Sequence, residues 1–228
     1  MTSSMGNPIR HRGERMAAAF VLLALATLAC GGGNGSSGAD ASVAATQPLC
    51  ADDRHVVAFD IFGTLTRSDE DLGDWLGDAG SPPDVRAGAA ELVSAYRTRG
   101  FEVLYVTTVP AELEIRGQPM AEALAGWLDA NGFPTGDHTH LSLWDGNHTA
   151  MQGISDELAR LRDEGASVDA AYTDNDDKAF TFKSGVPSDK VFTVGDGAAS
   201  TGTTPVAGDD VAAHARDVAG MGQICRLA

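Results

Sequence analysis

The sequence predicts an α/β chain built on a doubly wound, mainly parallel sheet, with no large cap domain inserted. Three observations predict it. Apolar runs of strand length at 55–59, 101–107, 168–172 and 191–194 alternate with stretches of helical spacing, the pattern of successive βαβ units. Those runs are nearly continuous in Val, Ala, Phe, Leu and Tyr instead of alternating with polar residues, as strands covered on both faces require. The intervening helical stretches stop at glycines, Gly100, Gly132 and Gly165, the residue that most readily takes the left-handed conformation at a helix end.

Composition is consistent with one domain of moderate size. The chain has 228 residues, 43% of them apolar, with 32 acidic against 16 basic side chains and a formal charge of −16. That apolar fraction argues against disorder throughout. The charge leaves no basic footprint for nucleic acid and opposes broad electrostatic attachment to an anionic membrane. Three cysteines are too few for a disulfide-dense scaffold, and no Cys-x-x-Cys pair occurs.

From the N-terminus, Arg10, His11, Arg12 and Arg15 precede an apolar stretch at 16–29, which ends at Cys30 and three glycines. A stable membrane span needs about 20 apolar residues, so the stretch fits a secretory signal better. It resembles a bacterial lipoprotein signal, which implies lipidation of Cys30 and a lipid-anchored or periplasmic location in the cell envelope; simple secretion is the alternative. Residues 30–49 are Gly, Ser, Ala, Thr and Asn with almost no large apolar side chain, and read as a flexible tether of roughly 25 Å. The expected organisation is therefore a signal at 1–29, a tether at 30–49 and a domain at 50–228. Cys50 and Cys225 bracket that domain, and in an oxidising compartment they form a candidate disulfide; two buried free thiols are the alternative.

Within the domain the first strand, 55–59, stops at Asp60. A helix at 87–97 carries Leu92, Val93 and Tyr96 at helical spacing, and a strand at 101–107 follows. Helices at 120–131 and 154–162, strands at 168–172 and 191–194, and a last helix at 211–218 complete the alternation. In such sheets ligands bind outside the carboxyl ends of the strands. The first strand ends at Asp60, the second at Thr107-Thr108 and the third at Thr173-Asp174-Asn175-Asp176-Asp177. An aspartate there can serve as a covalent nucleophile, a hydroxyl can hold an oxyanion, and a second acidic cluster can complete an oxygen-ligated magnesium site.

The string Asp60-Ile61-Phe62-Gly63-Thr64-Leu65-Thr66 resembles the first motif of the haloacid dehalogenase superfamily. The trailing Arg67-Ser68-Asp69 brings it closer to the lipin-type LNS2 branch. The likeness continues through Val103–Thr108, Arg116-Gly117, Trp127-Leu128, Gly132-Phe133-Pro134, Ala170-Ala171-Tyr172 and Gly185-Val186-Pro187, and covers roughly 54–196. It implies a Rossmann-like domain that hydrolyses a phosphomonoester of the phosphatidate type with magnesium, or a relative that recognises a phosphorylated small molecule or phospholipid headgroup. Asp60 would be the nucleophile and Thr107 the phosphoryl-oxygen donor. The metal would be held by Asp60, the backbone carbonyl of Phe62, Asp174 and Asp177.

The chain departs from this pattern at several places. Phe62 stands where the family has a general-acid aspartate, and a benzyl ring transfers no proton; such a loss typically costs about a hundred- to ten-thousand-fold in rate. No lysine precedes Lys178, so the family's upstream lysine, which neutralises nucleophile and phosphate, is missing from its place, where Gln152 falls. Arg160 and Arg162 read as a solvated helix face. Lys178 itself takes the place of the family's last acid, and Val109 that of an arginine. The resulting expectation is attenuated phosphatase chemistry. An inactive domain that binds a phosphorylated ligand or a protein partner is the alternative. A haloacid-dehalogenase-type hydrolase, which also carries an aromatic residue at the Phe62 place, is a third. His138, His140 and His148 form a weak candidate metal cluster and read better as polar loop residues. The glycosylation triplet Asn147-His148-Thr149 reads as accidental in a bacterial-type lipoprotein.

Overall fold

A computed structural model describes residues 49–50, 53–77, 80–195 and 201–227. The expected signal segment, Cys30 and nearly all of the expected tether lie outside the described residues. No helix among the described residues is long and apolar enough to cross a membrane.

Six parallel strands form one sheet: β1 (Arg54–Asp60), β2 (Glu102–Pro110), β5 (Thr139–Trp144), β6 (Ala166–Thr173), β7 (Val191–Val194) and β8 (Thr204–Val206). Their spatial order is β5-β2-β1-β6-β7-β8. The chain builds outward from β1 in one direction and then returns to β1's other side with β6. That reversal is the topological switch point of a doubly wound sheet, where a crevice opens between the carboxyl ends of the two central strands. Asp60 and Thr173 are the last residues of those strands.

Successive side chains of β1 go to opposite cores because the strand period is two. Val57 and Phe59 pack on one face with α2 (Ala89–Thr98), α3 (Met120–Ala130) and α6 (Val211–Gly220), through Leu92, Tyr96, Leu124, Trp127 and Val218. Val56 and Ala58 pack on the other with α4 (Ala150–Asp163) and α5 (Asp176–Phe182), through Leu158, Leu161 and Phe182. The first face also holds a stack of rings running from Phe59 over Tyr172 to Phe192, with centroids 4.8 and 4.6 Å apart.

The alternating strands and helices lie where the sequence predicts them, displaced by a few residues at their ends. Two elements near the site were not expected. The segment Thr139–Trp144, expected as a polar loop, is the edge strand β5, half-buried along its whole length. At the sheet edge Thr139, His140 and Ser142 interrupt Leu141 and Leu143, so the segment lacks the continuous apolar run that marks a central strand. The acidic turn after β6 continues into helix α5. Asn175 caps it, its side chain accepting from the backbone N–H of Asp177 at 2.9 Å and of Lys178 at 3.2 Å, and Asp176 and Asp177 sit in the first turn, where negative charge is favoured.

Between β1 and α2 only the short helix α1 (Asp71–Leu76) is formed among the described residues, and between β2 and α3 only the hairpin of β3 (Glu114–Ile115) and β4 (Gln118–Pro119). Arg116 and Gly117 turn that hairpin with φ values of 54° and 78°, as a two-residue turn of this twist demands. At the end of the sheet away from the site, Cys50 and Cys225 are disulfide-bonded, with Cα atoms 5.1 Å apart. Leu49 and Arg226 form a bridge beside them. Gly100 passes under this closure with φ of 99°, and a side chain there would meet the carbonyl of Cys225.

Candidate functional site

The strand β1 ends in a wide turn, Ile61–Leu65, and two side chains hold it closed. Thr66, fully buried, accepts a hydrogen bond from the Gly63 N–H at 2.8 Å and donates to the Ser68 carbonyl at 2.8 Å. Arg86 reaches back from the segment before α2 and donates to the carbonyls of Thr64, Gly63 and Arg67. The apolar residues Ile61, Phe62 and Leu65 anchor the turn in the core. These contacts explain two places of the motif's Gly-Thr-x-Thr wording: Thr66 bonds the turn to itself, and the glycine lies where nothing larger fits. Gly63 has φ of 77°, and a Cβ there would overlap the Asp174 carboxylate and lie 2.7 Å from Asp69 Oδ1.

Asp60 is 1% exposed. Its Oδ2 accepts from the Lys178 ammonium at 2.6 Å and from the Thr173 hydroxyl at 3.3 Å, while its Oδ1 has no hydrogen-bond partner. Asp174 follows β6, with Oδ1 4.0 Å from the same ammonium and likewise buried without a hydrogen bond. A third carboxylate, Asp69, closes the group from the far end of the first-motif turn, beside Gly63 and Asp174. Burial pushes the Asp60 carboxyl up, and Lys178 draws it back down. Burial and then the charge of Asp60 raise Asp174. Burial and then the charge of Asp174 push Asp69 up to about 6. For Lys178 burial opposes the charge, but Asp60, Asp174 and Asp69 outweigh it and keep the ammonium protonated.

Of the residues singled out in the sequence, Asp60 and Asp174 meet here. Thr107, 4% exposed, lies one residue beyond the strand partner of Asp60, and its hydroxyl accepts from the Val109 N–H at 3.2 Å. Asp177 is exposed on α5, and no contact among the described residues joins it to Asp60 or Asp174; the inward-facing residue of that turn is Lys178. The expectation that the site lacks its neutralising lysine is corrected. The cation is present, delivered from the first turn of α5 instead of from the helix before β6. Its place in the sequence does not reveal it, because an ammonium on a long flexible side chain can reach one carboxylate from either of two neighbouring elements. The sequence pattern gives no role to Arg86 or Asp69; Asp69 follows the first motif, but only the turn's closure brings it back onto Gly63.

Gln152 and Arg160 lie elsewhere. Gln152 bonds Asp156 at 2.7 Å, and Arg160 pairs with Glu157 and Glu164 on the exposed face of α4. His140 and His138 stand near the amino end of β5 and face Glu102, at 3.1 and 3.9 Å, where Arg54 also binds. His148 is beyond Trp144, whose indole donates to its carbonyl, so the three histidines do not converge.

The residues present fit a magnesium ion. Asp60 Oδ1, Asp174 Oδ1 and Thr64 Oγ are the buried side-chain oxygens left without hydrogen bonds among the described residues, and all are hard donors. Three carboxylates face a single ammonium. No three His, Cys, Asp or Glu side chains among the described residues close into a ready-made cage. Magnesium is held by one or two carboxylates together with water and substrate oxygens, and Asp60 and Asp174 offer two.

The family model for the PITM 1-3, LNS2 domain matches residues 57–195 of the chain. The chain belongs to the LNS2 family. The match begins in β1, before Asp60, and runs past Asp174 and Lys178, so it holds every residue of the site just described. Among curated proteins, retinal degeneration B of Drosophila melanogaster is 27% identical over 169 residues. That stretch is 73% of this chain but only 12% of the relative. Among solved structures, the D,D-heptose 1,7-bisphosphate phosphatase of B. bronchiseptica, crystallised with magnesium and phosphate, superposes with a TM-score of 0.50 at 15% identity. The superposition covers 72% of this chain and 97% of that one and supports the same phosphatase-like fold.

Proposed function

We propose that this LNS2 domain captures a phosphomonoester of the phosphatidate type together with a magnesium ion, at a site of phosphatase descent whose turnover is attenuated. The observation that carries the reading is the pairing of Asp60 with Lys178 beside a Phe62 that offers no proton. Asp60 keeps the nucleophile's place at the switch point, one oxygen neutralised and the other without a partner. Magnesium would be held by Asp60 and Asp174, and would offset the charge of the incoming phosphoryl group. Arg67, exposed at the crevice mouth, adds a cation on the side from which a phosphorylated ligand enters.

Attack by Asp60 on phosphorus expels an alkoxide, which needs a proton to leave. Phe62 is 4% exposed and packed in the core, and supplies none. The expected cost is about a hundred- to ten-thousand-fold in rate. A second reading, phosphoryl recognition without hydrolysis, is favoured by the depth of Asp60, which is nearly sealed from solvent and already engaged.

The test uses the full chain with magnesium, an aryl phosphate and phosphatidate-containing vesicles, in wild type, Asp60→Asn and Phe62→Asp. Weak turnover abolished by Asp60→Asn supports the attenuated enzyme. Vesicle binding without turnover, with hydrolysis appearing only in Phe62→Asp, supports recognition alone. Neither binding nor turnover in any form overturns both. Lipid attachment at Cys30 and a tether of roughly 25 Å would bring the crevice to a bacterial envelope membrane; fatty-acid labelling lost in Cys30→Ala tests that placement.

A further inference from the structure

Two charges of the site stand in unexpected places. The position where the resemblance implies a last metal-binding acid is Lys178, and its ammonium is committed to Asp60 at 2.6 Å. The acid is thus absent from its usual place, and Asp176 and Asp177 beside it are exposed. Yet the crevice contains a third carboxylate, because the turn after β1 folds Asp69 back onto Gly63. A single point, the Cβ position of Gly63, lies within 2.7 Å of Asp69 Oδ1 and closer still to the Asp174 carboxylate. No ammonium or guanidinium hydrogen-bonds Asp69 among the described residues, and the one lysine nearby is taken.

We propose that Asp69 is the third acid of the cation shell, acting through the Asp174 carboxylate it faces. The inference rests on the magnesium reading above. An independent observation points to a cation here: Asp60, 1% exposed, keeps one oxygen without a hydrogen-bond partner, and the ammonium that pairs its other oxygen lies 4.0 Å from Asp174 Oδ1, likewise without one. A buried carboxylate oxygen left bare costs free energy, and Asp60 and Asp174 share a single ammonium at the floor of the crevice. A divalent cation would satisfy the bare oxygens. Asp69, at the crevice rim, then orients Asp174 and accepts from metal-bound water, the service that outer-shell carboxylates provide to metal ligands.

The experiment is a titration of the full chain with Mn2+, read by the loss of the free-ion paramagnetic resonance signal, with thermal melting in chelator and in excess magnesium. Wild type is expected to bind Mn2+ and to melt higher in magnesium. Asp69→Asn is expected to weaken Mn2+ binding by about tenfold or more, to lose the magnesium increment, and to melt in chelator at or above wild type because one repelling carboxylate has gone. Asp174→Asn should lose binding outright, and Asp163→Asn, which removes an exposed acid at the end of α4, should bind as wild type. Unchanged Mn2+ affinity in Asp69→Asn overturns the inference while leaving the magnesium reading intact. Absence of Mn2+ binding in wild type overturns both. Loss of binding in Asp69→Asn from a chain that hydrolyses nothing, even as Phe62→Asp, supports the inference and counts against turnover.

Discussion

The Lys178 ammonium lies 2.6 Å from Asp60 Oδ2, and both side chains are sealed, at 8% and 1% exposure. Neither charge would be stable there alone, since desolvating one ion costs several kcal/mol and the partner is what offsets it. Lys178→Met therefore leaves an uncompensated buried carboxylate. The expected loss in chemical denaturation is about 3–5 kcal/mol. The double variant Lys178→Met with Asp60→Asn, which removes the orphaned charge as well, should recover most of it. Equal losses in the single and double variants would show that Lys178 contributes packing and not charge.

That pair also shows where the sequence stops being readable. Asp60, Thr107 and Asp174 were legible because each ends an apolar strand run, and the parallel sheet brings strand ends together without further information. Lys178 was legible only as a departure, since its place in the helix says nothing about which way a four-carbon side chain extends. Asp69 and Arg86 needed the turn itself: their contacts to Gly63 depend on the left-handed residue and on Thr66 bonding the loop closed. The edge strand β5 was lost for a different reason, because Thr139, His140 and Ser142 interrupt its apolar residues and give it a pattern close to that of a loop. Local periodicity reports burial on one face well, and reports side-chain convergence from distant segments poorly.

Glu102 predicts an acid-side dependence of stability. Hydrogen bonds from Arg54, against the cost of burial and with help from His140, hold its carboxyl down to about 2. A lowered folded-state value means stability that is present above the ordinary value of 4.5 and is lost as pH falls toward 2. Glu102→Gln should lower stability by about 2 kcal/mol at neutral pH. The gap between variant and wild type should close as pH is taken from 4.5 to about 2 in parallel denaturation curves. A gap independent of pH would assign the loss to shape instead of charge.

The disulfide between Cys50 and Cys225 closes a loop with a sequence separation of 175. In the chain-entropy account a loop of that length restrains the unfolded state by about 5 kcal/mol. Cys50→Ser should lower the midpoint of urea unfolding accordingly, and adding a reductant to wild type should reproduce the same curve. The site lies at the opposite end of the strands, so Mn2+ affinity of the folded variant should match that of wild type. A change in affinity would mean that the closure of the termini is transmitted through β1 to Asp60.

Gly63 provides the sharpest separation between folding and site geometry. Its φ of 77° costs a residue with a Cβ about 1–2 kcal/mol, and the added methyl would also occupy the space of the Asp174 carboxylate. The turn itself is held by Thr66 and Arg86 through backbone atoms that alanine retains. Gly63→Ala should therefore fold, with a modest fall in melting temperature, and yet displace Asp174 from Asp69 and lose divalent-cation binding. The effect on Mn2+ affinity should equal or exceed that of Asp69→Asn, because the methyl separates both carboxylates at once. A Gly63→Ala chain that melts much lower but binds Mn2+ normally would show that this glycine serves the turn alone and that the carboxylates do not depend on meeting across it.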